Sequence, residues 1–220
     1  MSFSEALWSG TTSLFDQILA HPFLTGLTDG TLPEDAFRAY VIQDSHYLAT
    51  FGRSIAILAA RSDGGTPLQT LCAHAGNSVA VEQALHATFL TDWGLTAADI
   101  AATEPSPTTL LYRNTVLATV CNRPFHEGLA AILPCYRVYL EVGRALVPKG
   151  SPNPLYQRWI DTYAGDDFAT VVDELHRIID ATAPGLSASQ LEAMHRHHRQ
   201  GVRFEWMFWD AAWRKEAWPI

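Results

Sequence analysis

Long apolar runs are missing from this 220-residue chain, and no segment approaches the roughly 18–20 uninterrupted apolar residues that span a bilayer. A membrane-spanning helix is therefore excluded as an organising element. The opening MSFSEALWSG carries Glu5 and has no basic stretch followed by an apolar one, so no secretory signal is expected. Positive charge is also short. Lys and Arg number 15 against 23 Asp and Glu, a formal net charge of −8, which leaves no basic excess to neutralise nucleic-acid phosphates. Cysteine is scarce and odd in number. Cys72, Cys121 and Cys135 contain no C-x-x-C pair, which points to free thiols in a reducing, cytoplasmic setting and away from a disulfide framework. Gly-rich phosphate loops, a G-x-S-x-G elbow and a Walker signature are all absent, so nothing indicates a nucleotide cofactor. Alternating β-branched runs bounded by turn signals are absent too, which removes the case for strands.

What is present is helical. Hydrophobic content of 48% with 17% charged residues belongs to a globular protein. Leu7, Leu14, Ile18 and Leu19 predict one amphipathic helix ending near His21-Pro22, because proline disfavours helical geometry in the residue before it. Thr31-Leu32-Pro33-Glu34 opens a second helix to about Arg61, and Thr66-Pro67 a third to about Trp93-Gly94. Further helices are predicted over about 108–122, onward from Arg123-Pro124 to about Val147, over 155–163 and 166–181, and from Ser187 to Trp213. The Pro-rich stretches at 104–107 and 148–154 are only turns, so the expectation is an all-α bundle forming a single helical domain over 1–220.

Three places carry candidate chemistry, each with a plainer alternative. Pro134-Cys135 sits inside a helical pattern, where proline removes a ladder hydrogen bond at a cost of about 3 kcal/mol unless compensated. Tyr139 follows Cys135 by one turn on the same face. The thiol is either reactive or a small buried hydrophobe of a bundle core, as most free cysteines are. Asp44 and Tyr47 share a face with Phe51 on a strongly apolar helix; the carboxylate either turns inward to a polar partner or turns outward to a cation such as Arg53. Glu205 lies among aromatic residues with Phe208 and Trp209 on its face. It is either a poorly solvated acid with a raised pKa, useful for proton transfer, or an ordinary solvated one beside a tryptophan stripe.

Glu192-x-x-His195, Asp173-x-x-His176 and Glu82-x-x-x-His86 each place an acid and an imidazole on one helix face, a pairing that di-iron bundles use. Arg196 and Arg199, however, are interleaved with His195, His197 and His198, which repels a cation and predicts a wet surface.

Four blocks in order, 40–48 (YVIQDSHYL), 82–89 (EQALHATF), 133–139 (LPCYRVY) and 205–210 (EWMFWD), resemble the TenA (thiaminase II-like) family over nearly the whole chain, from Trp8 to Pro219. The resemblance implies a heme oxygenase-like multi-helix bundle, a homotetramer, and hydrolysis in thiamin salvage. The reaction would convert 4-amino-5-aminomethyl-2-methylpyrimidine to its hydroxymethyl counterpart plus ammonia and would also cleave thiamin, with no metal or organic cofactor. It assigns Cys135 as nucleophile, Glu205 as acid/base partner, and Asp44 as the acceptor of the pyrimidine amino group and a protonated ring nitrogen. Tyr47, Tyr112, Tyr139, Tyr163 and Phe208 would line the substrate pocket. His46 departs from the family pattern, where an aromatic such as Tyr is frequent. Two rival readings share the scaffold: a di-iron or heme-type oxidase, and a non-catalytic pyrimidine-binding protein.

Overall fold

The computed structural model describes the backbone of all 220 residues and every side chain except those of Glu82, Gln83, Leu85, His86 and Ala87. The Glu82-x-x-x-His86 pairing and most of the 82–89 block thus lie outside the described side chains. Eleven α-helices make up the described residues, with no strand among them: α1 (Phe3–Ser9), α2 (Thr12–Leu19), α3 (Pro22–Asp29), α4 (Glu34–Ala60), α5 (Gly65–Leu85), α6 (Ala97–Ala102), α7 (Pro107–Asn122), α8 (Phe125–Leu146), α9 (Pro154–Ala164), α10 (Asp166–Thr182) and α11 (Ala188–Trp213). The all-α expectation holds.

Capping explains most boundaries. Ser106, Asn153 and Ser187 accept hydrogen bonds from the backbone N–H groups of Thr109, Leu155 and Gln190, and proline occupies the first turn of α3, α7 and α9. Two boundaries depart from the sequence reading. The first predicted helix is two: α1 stops at Gly10 and α2 restarts after Thr11. Pro22 then begins α3 rather than ending a structured region, because the His21 side chain caps the N–H of Phe23 at 3.1 Å. The third predicted helix does reach Asp92, but its register changes, with α5 passing into a π-helical segment over His86–Leu90.

Buried side chains form a contiguous core around α4, α8 and α11. Helix α4 packs against α5, α7 and α11, and α8 packs against α7, α9, α10 and α11. Two glycines set how closely these helices meet. A Cβ on Gly201 of α11 would come within 2.5 Å of the Pro134 ring on α8, and one on Gly143 of α8 would come within 2.7 Å of the Tyr163 backbone on α9. Helix α8 runs unbroken through Pro134, whose ring occupies the space that Gly201 leaves. Burial of many apolar side chains in this contact offsets the lost ladder bond. No described helix is long and apolar enough to cross a membrane.

Candidate active site

The close α8–α11 approach decides what Cys135 and Glu205 can do. Gly201 and Glu205 are one turn apart on α11, and Pro134 and Cys135 are adjacent on α8, so the contact that seats the proline ring brings the carboxyl beside the thiol. Helix α4 contributes a stripe one turn at a time: Tyr40, Asp44, Tyr47 and Phe51, all buried. Asp44 is 4% exposed, so it turns inward, and the outward pairing with Arg53 is not what forms.

A cavity of about 420 Å³ opens between α4, α5, α8, α9 and α10. Asp44, Cys135, Tyr139 and Tyr163 are on its wall, with Tyr136 and Phe51 beside them. Tyr112, Glu205, Tyr47 and Phe208 stand in the layer behind. Tyr112 donates its hydroxyl hydrogen to Glu205 Oε1 at 2.5 Å, and the Tyr47 ring lies 4.6 Å from that of Tyr112 and 6.0 Å from that of Phe208. Tyr40 donates to the hydroxyl of Tyr139 at 3.1 Å, while the Tyr139 and Tyr163 rings meet at 4.8 Å. All eight residues singled out from the sequence therefore fall in one connected cluster.

Electrostatics give the cluster its resting state. Glu205 is 1% exposed, and burial, reinforced by the charge of Asp44, pushes its pKa up to about 8 against the pull of the Tyr112 hydrogen bond. Burial also pushes the Cys135 thiol well above its usual range; Glu205 and Asp44 add to this, and the Tyr47 hydroxyl partly offsets it. Without a ligand at pH 7, both groups hold their protons. Positive charge brought in by a ligand would favour ionising either one.

His46 is not on the cavity wall. It faces the carbonyls of Ile100 and Thr103 and the Arg113 guanidinium. The histidine-rich segment of α11 is only partly wet: Arg196 and Arg199 are exposed, but His198 is fully buried and burial pulls its pKa down to about 3. The helical repeat turns Met194, His198, Gly201 and Val202 inward together. His197 meets Glu127 at 2.7 Å, His195 meets the Phe3 ring, and His176 lies 3.7 Å from Asp173 and beside Arg137. No group of three or more His, Cys, Asp or Glu side chains that could hold a metal ion occurs among the described residues.

The sequence reading did not anticipate the α5 wall. His74 and Ser78 line the cavity there, and Asn77, Thr162 and Asp167 are exposed around it. The available signal was the four-residue spacing of His74 and Ser78 on a predicted helix, which by itself names no ligand.

The TENA/THI-4/PQQC family model matches residues 8–215. The chain is 35% identical to the aminopyrimidine aminohydrolase of Bacillus subtilis (strain 168), over 99% of this chain and 92% of that one. Among solved structures it is similar to the TenA homologue from P. horikoshii OT3, with a TM-score of 0.89, 30% identity, and coverage of 97% of this chain and 99% of that one. A domain of unknown function with a heme oxygenase-like fold from Shewanella denitrificans OS217 superposes with a TM-score of 0.76 at 14% identity, covering 98% of this chain and 93% of that one; this likeness bears on fold alone.

Proposed function

Because the chain belongs to the TENA/THI-4/PQQC family, we propose that it is an aminopyrimidine aminohydrolase of thiamin salvage, acting by covalent catalysis from Cys135. The observation that carries this reading is the cavity itself, with a thiol, a carboxylate and two tyrosines on one wall and a second carboxyl of raised pKa behind them. Its volume suits a small heterocycle. Asp44 accepts hydrogen bonds from the pyrimidine amino group and a protonated ring nitrogen, while Tyr139, Tyr163 and, further back, Tyr47, Tyr112 and Phe208 hold and dry the ring.

The chemistry follows from the residue types. An aromatic pyrimidine does not readily expel ammonia from its exocyclic methylene. When the Cys135 sulfur bonds to a ring carbon, aromaticity is interrupted and the thiol proton passes to the substrate amine. The ring electrons then break the methylene C–N bond, and ammonia leaves with that electron pair. Water next adds its oxygen to the methylene, the C–S bond breaks, and the remaining proton returns to sulfur. The balance is aminomethylpyrimidine plus water to hydroxymethylpyrimidine plus ammonia. Glu205 relays these protons, a role suited to a carboxyl whose pKa of about 8 holds a proton at rest and releases it at little cost near neutrality. Thiamin offers the same pyrimidine with a thiazole alcohol as leaving group. No step calls for a metal or organic cofactor.

As part of the same reading, the enzyme works in the cytoplasm as a homotetramer. The exposed thiols of Cys72 and Cys121 suit a reducing compartment, and Trp213 and Trp218, 36% and 41% exposed, supply apolar surface for association. Ammonia release from aminomethylpyrimidine, followed together with hydroxymethylpyrimidine formation and with thiamin in parallel, tests the activity. Stoichiometric binding without ammonia release would favour the non-catalytic pyrimidine-binding reading instead.

A further inference from the structure

We infer that Asp167 and Phe168, in the first turn of α10, form the leaving-group end of the cavity, which takes the positively charged thiazolium ring of thiamin and turns away its phosphate ester. This rests on the hydrolase reading above and gives it two residues outside the Asp44–Cys135 cluster.

Burial gives the cavity a direction. Asp44, at one end, is 4% exposed, whereas Asn77, Thr162 and Asp167 are exposed at the other. Behind the thiol stands the buried layer of Tyr112, Glu205, Tyr47 and Phe208, so a group expelled from the methylene leaves toward the open end. An aromatic wall runs the same way. The Tyr139 and Tyr163 rings meet at 4.8 Å, and the half-buried Phe168 ring meets Tyr163 edge-on at 5.5 Å. At about 420 Å³, the cavity has room for a second ring beyond a pyrimidine held at Asp44.

Charge then selects which ring. Asp44 and Asp167 both line the cavity, and among the described residues no Lys or Arg does. His74 is on the wall, but the Glu174 carboxylate 3.0 Å from its Nε2 offsets any charge it takes. The N-terminus of α10 contributes about half a positive charge, which Asp166 and Asp167 together outweigh. A thiazolium is an aromatic ring with a permanent positive charge, so it suits a carboxylate and a phenyl ring side by side. The phosphate ester of thiamin places negative charge on the far end of that ring, where Asp167 repels it. Hydroxymethylpyrimidine is neutral and lacks the second ring, so it is indifferent to both residues.

The test uses the full-length protein and three ligands that differ in charge: thiamin as substrate, and thiamin monophosphate and hydroxymethylpyrimidine as inhibitors of ammonia release from aminomethylpyrimidine. Asp167 is exposed, so Asp167→Asn leaves the packing alone. Expected is a fall of about two- to fivefold in kcat/KM for thiamin, a fall of similar size in the inhibition constant of the monophosphate, and an unchanged inhibition constant for hydroxymethylpyrimidine. Asp167→Lys should enlarge both shifts. Phe168→Leu should lower kcat/KM for thiamin by about two- to fivefold, again without moving hydroxymethylpyrimidine. Asp173→Asn makes the same charge change on α10 away from the cavity wall and should reproduce none of this. Shifts of one direction for thiamin and its phosphate ester, no shift for either, or equal shifts in Asp173→Asn overturn the leaving-group end while leaving the hydrolase reading intact. An unaltered protein that turns over neither aminomethylpyrimidine nor thiamin overturns both.

Discussion

The two sides of the cavity are built differently. On the α8–α11 side the helices meet at glycine–proline contact distance, Glu205 is hydrogen-bonded to Tyr112, and the half-buried thiol is held well above its usual pKa range. On the α5 side Val79 and Val81 are 51% and 40% exposed, and the helix passes into a π segment. A reacting group must be held to within a fraction of an ångström by packed neighbours, whereas a wall that admits and sorts ligands is drawn from less tightly packed structure. On the proposed function, reaction belongs to the first side.

The sharpest way to break that division is at the thiol. Cys135→Ser should lower kcat by about 10³-fold or more, since the covalent route is lost and an alcohol is a far weaker nucleophile. Hydroxymethylpyrimidine binding, measured by calorimetry, should change little because Asp44 and the tyrosines remain. Residual turnover near the unaltered rate would remove the chemistry from the α8–α11 side.

Glu205→Gln comes next, with an expected loss of about 10²-fold in kcat. It also has a signature in stability. A carboxyl raised from 4.5 to about 8 on folding makes the folded state bind more protons than the unfolded one between those values. Its contribution to stability is fully present below pH 4.5 and is lost as the pH rises through about 8. Denaturant midpoints of the glutamine variant should therefore gain on those of the unaltered protein from pH 5 to pH 8. Parallel curves would mean that Glu205 is not held protonated.

Gly201→Ala tests the packing that brings the thiol and the acid together. Its Cβ would fall 2.5 Å from the Pro134 ring, closer than atoms can approach. Overpacking of this kind destabilises by about 1–3 kcal/mol. Because the strain is relieved by moving α8 from α11, kcat should fall in step with the loss of stability, whereas an alanine at Gly76 on α5, where a Cβ meets nothing within 4 Å, should leave kcat unchanged. The second variant is the control that makes the first interpretable.

The same contrast marks how far the residues could be read before the fold was known. Helix periods and the proline-marked breaks between helices follow from local spacing, which is why the all-α architecture was legible, whereas the inward turn of Asp44 on α4 was not. The joining of Cys135 to Glu205 was not, because 70 positions separate them and only the Gly201–Pro134 contact makes them neighbours. What linked them in the sequence was resemblance, not periodicity. The helix α3 was missed since a span of eight residues containing two threonines and a glycine has little intrinsic helix preference; burial of Phe23, Leu24 and Leu27 holds it. His198 was misjudged as wet because its arginine neighbours are exposed, although helical turning places it on the opposite face. His74 and Ser78 carry no local motif, and only the packing of α5 puts them at the cavity.

The smallest expected effect lies at Glu174, which pairs with His74 of the α5 wall. Its side chain is 37% exposed, so the pairing with His74 is screened by solvent and contributes well under what a buried pair would. Glu174→Ala should nonetheless remove a tie between α5 and α10. The expected result is a small fall in the denaturant midpoint, since exposed pairs contribute about 0.2–1 kcal/mol, with kcat unchanged. The effect should shrink at high salt, as screening predicts. A fall in kcat comparable to that of Glu205→Gln would instead place α5 within the reacting machinery, and the distinction between the two walls would have to be abandoned.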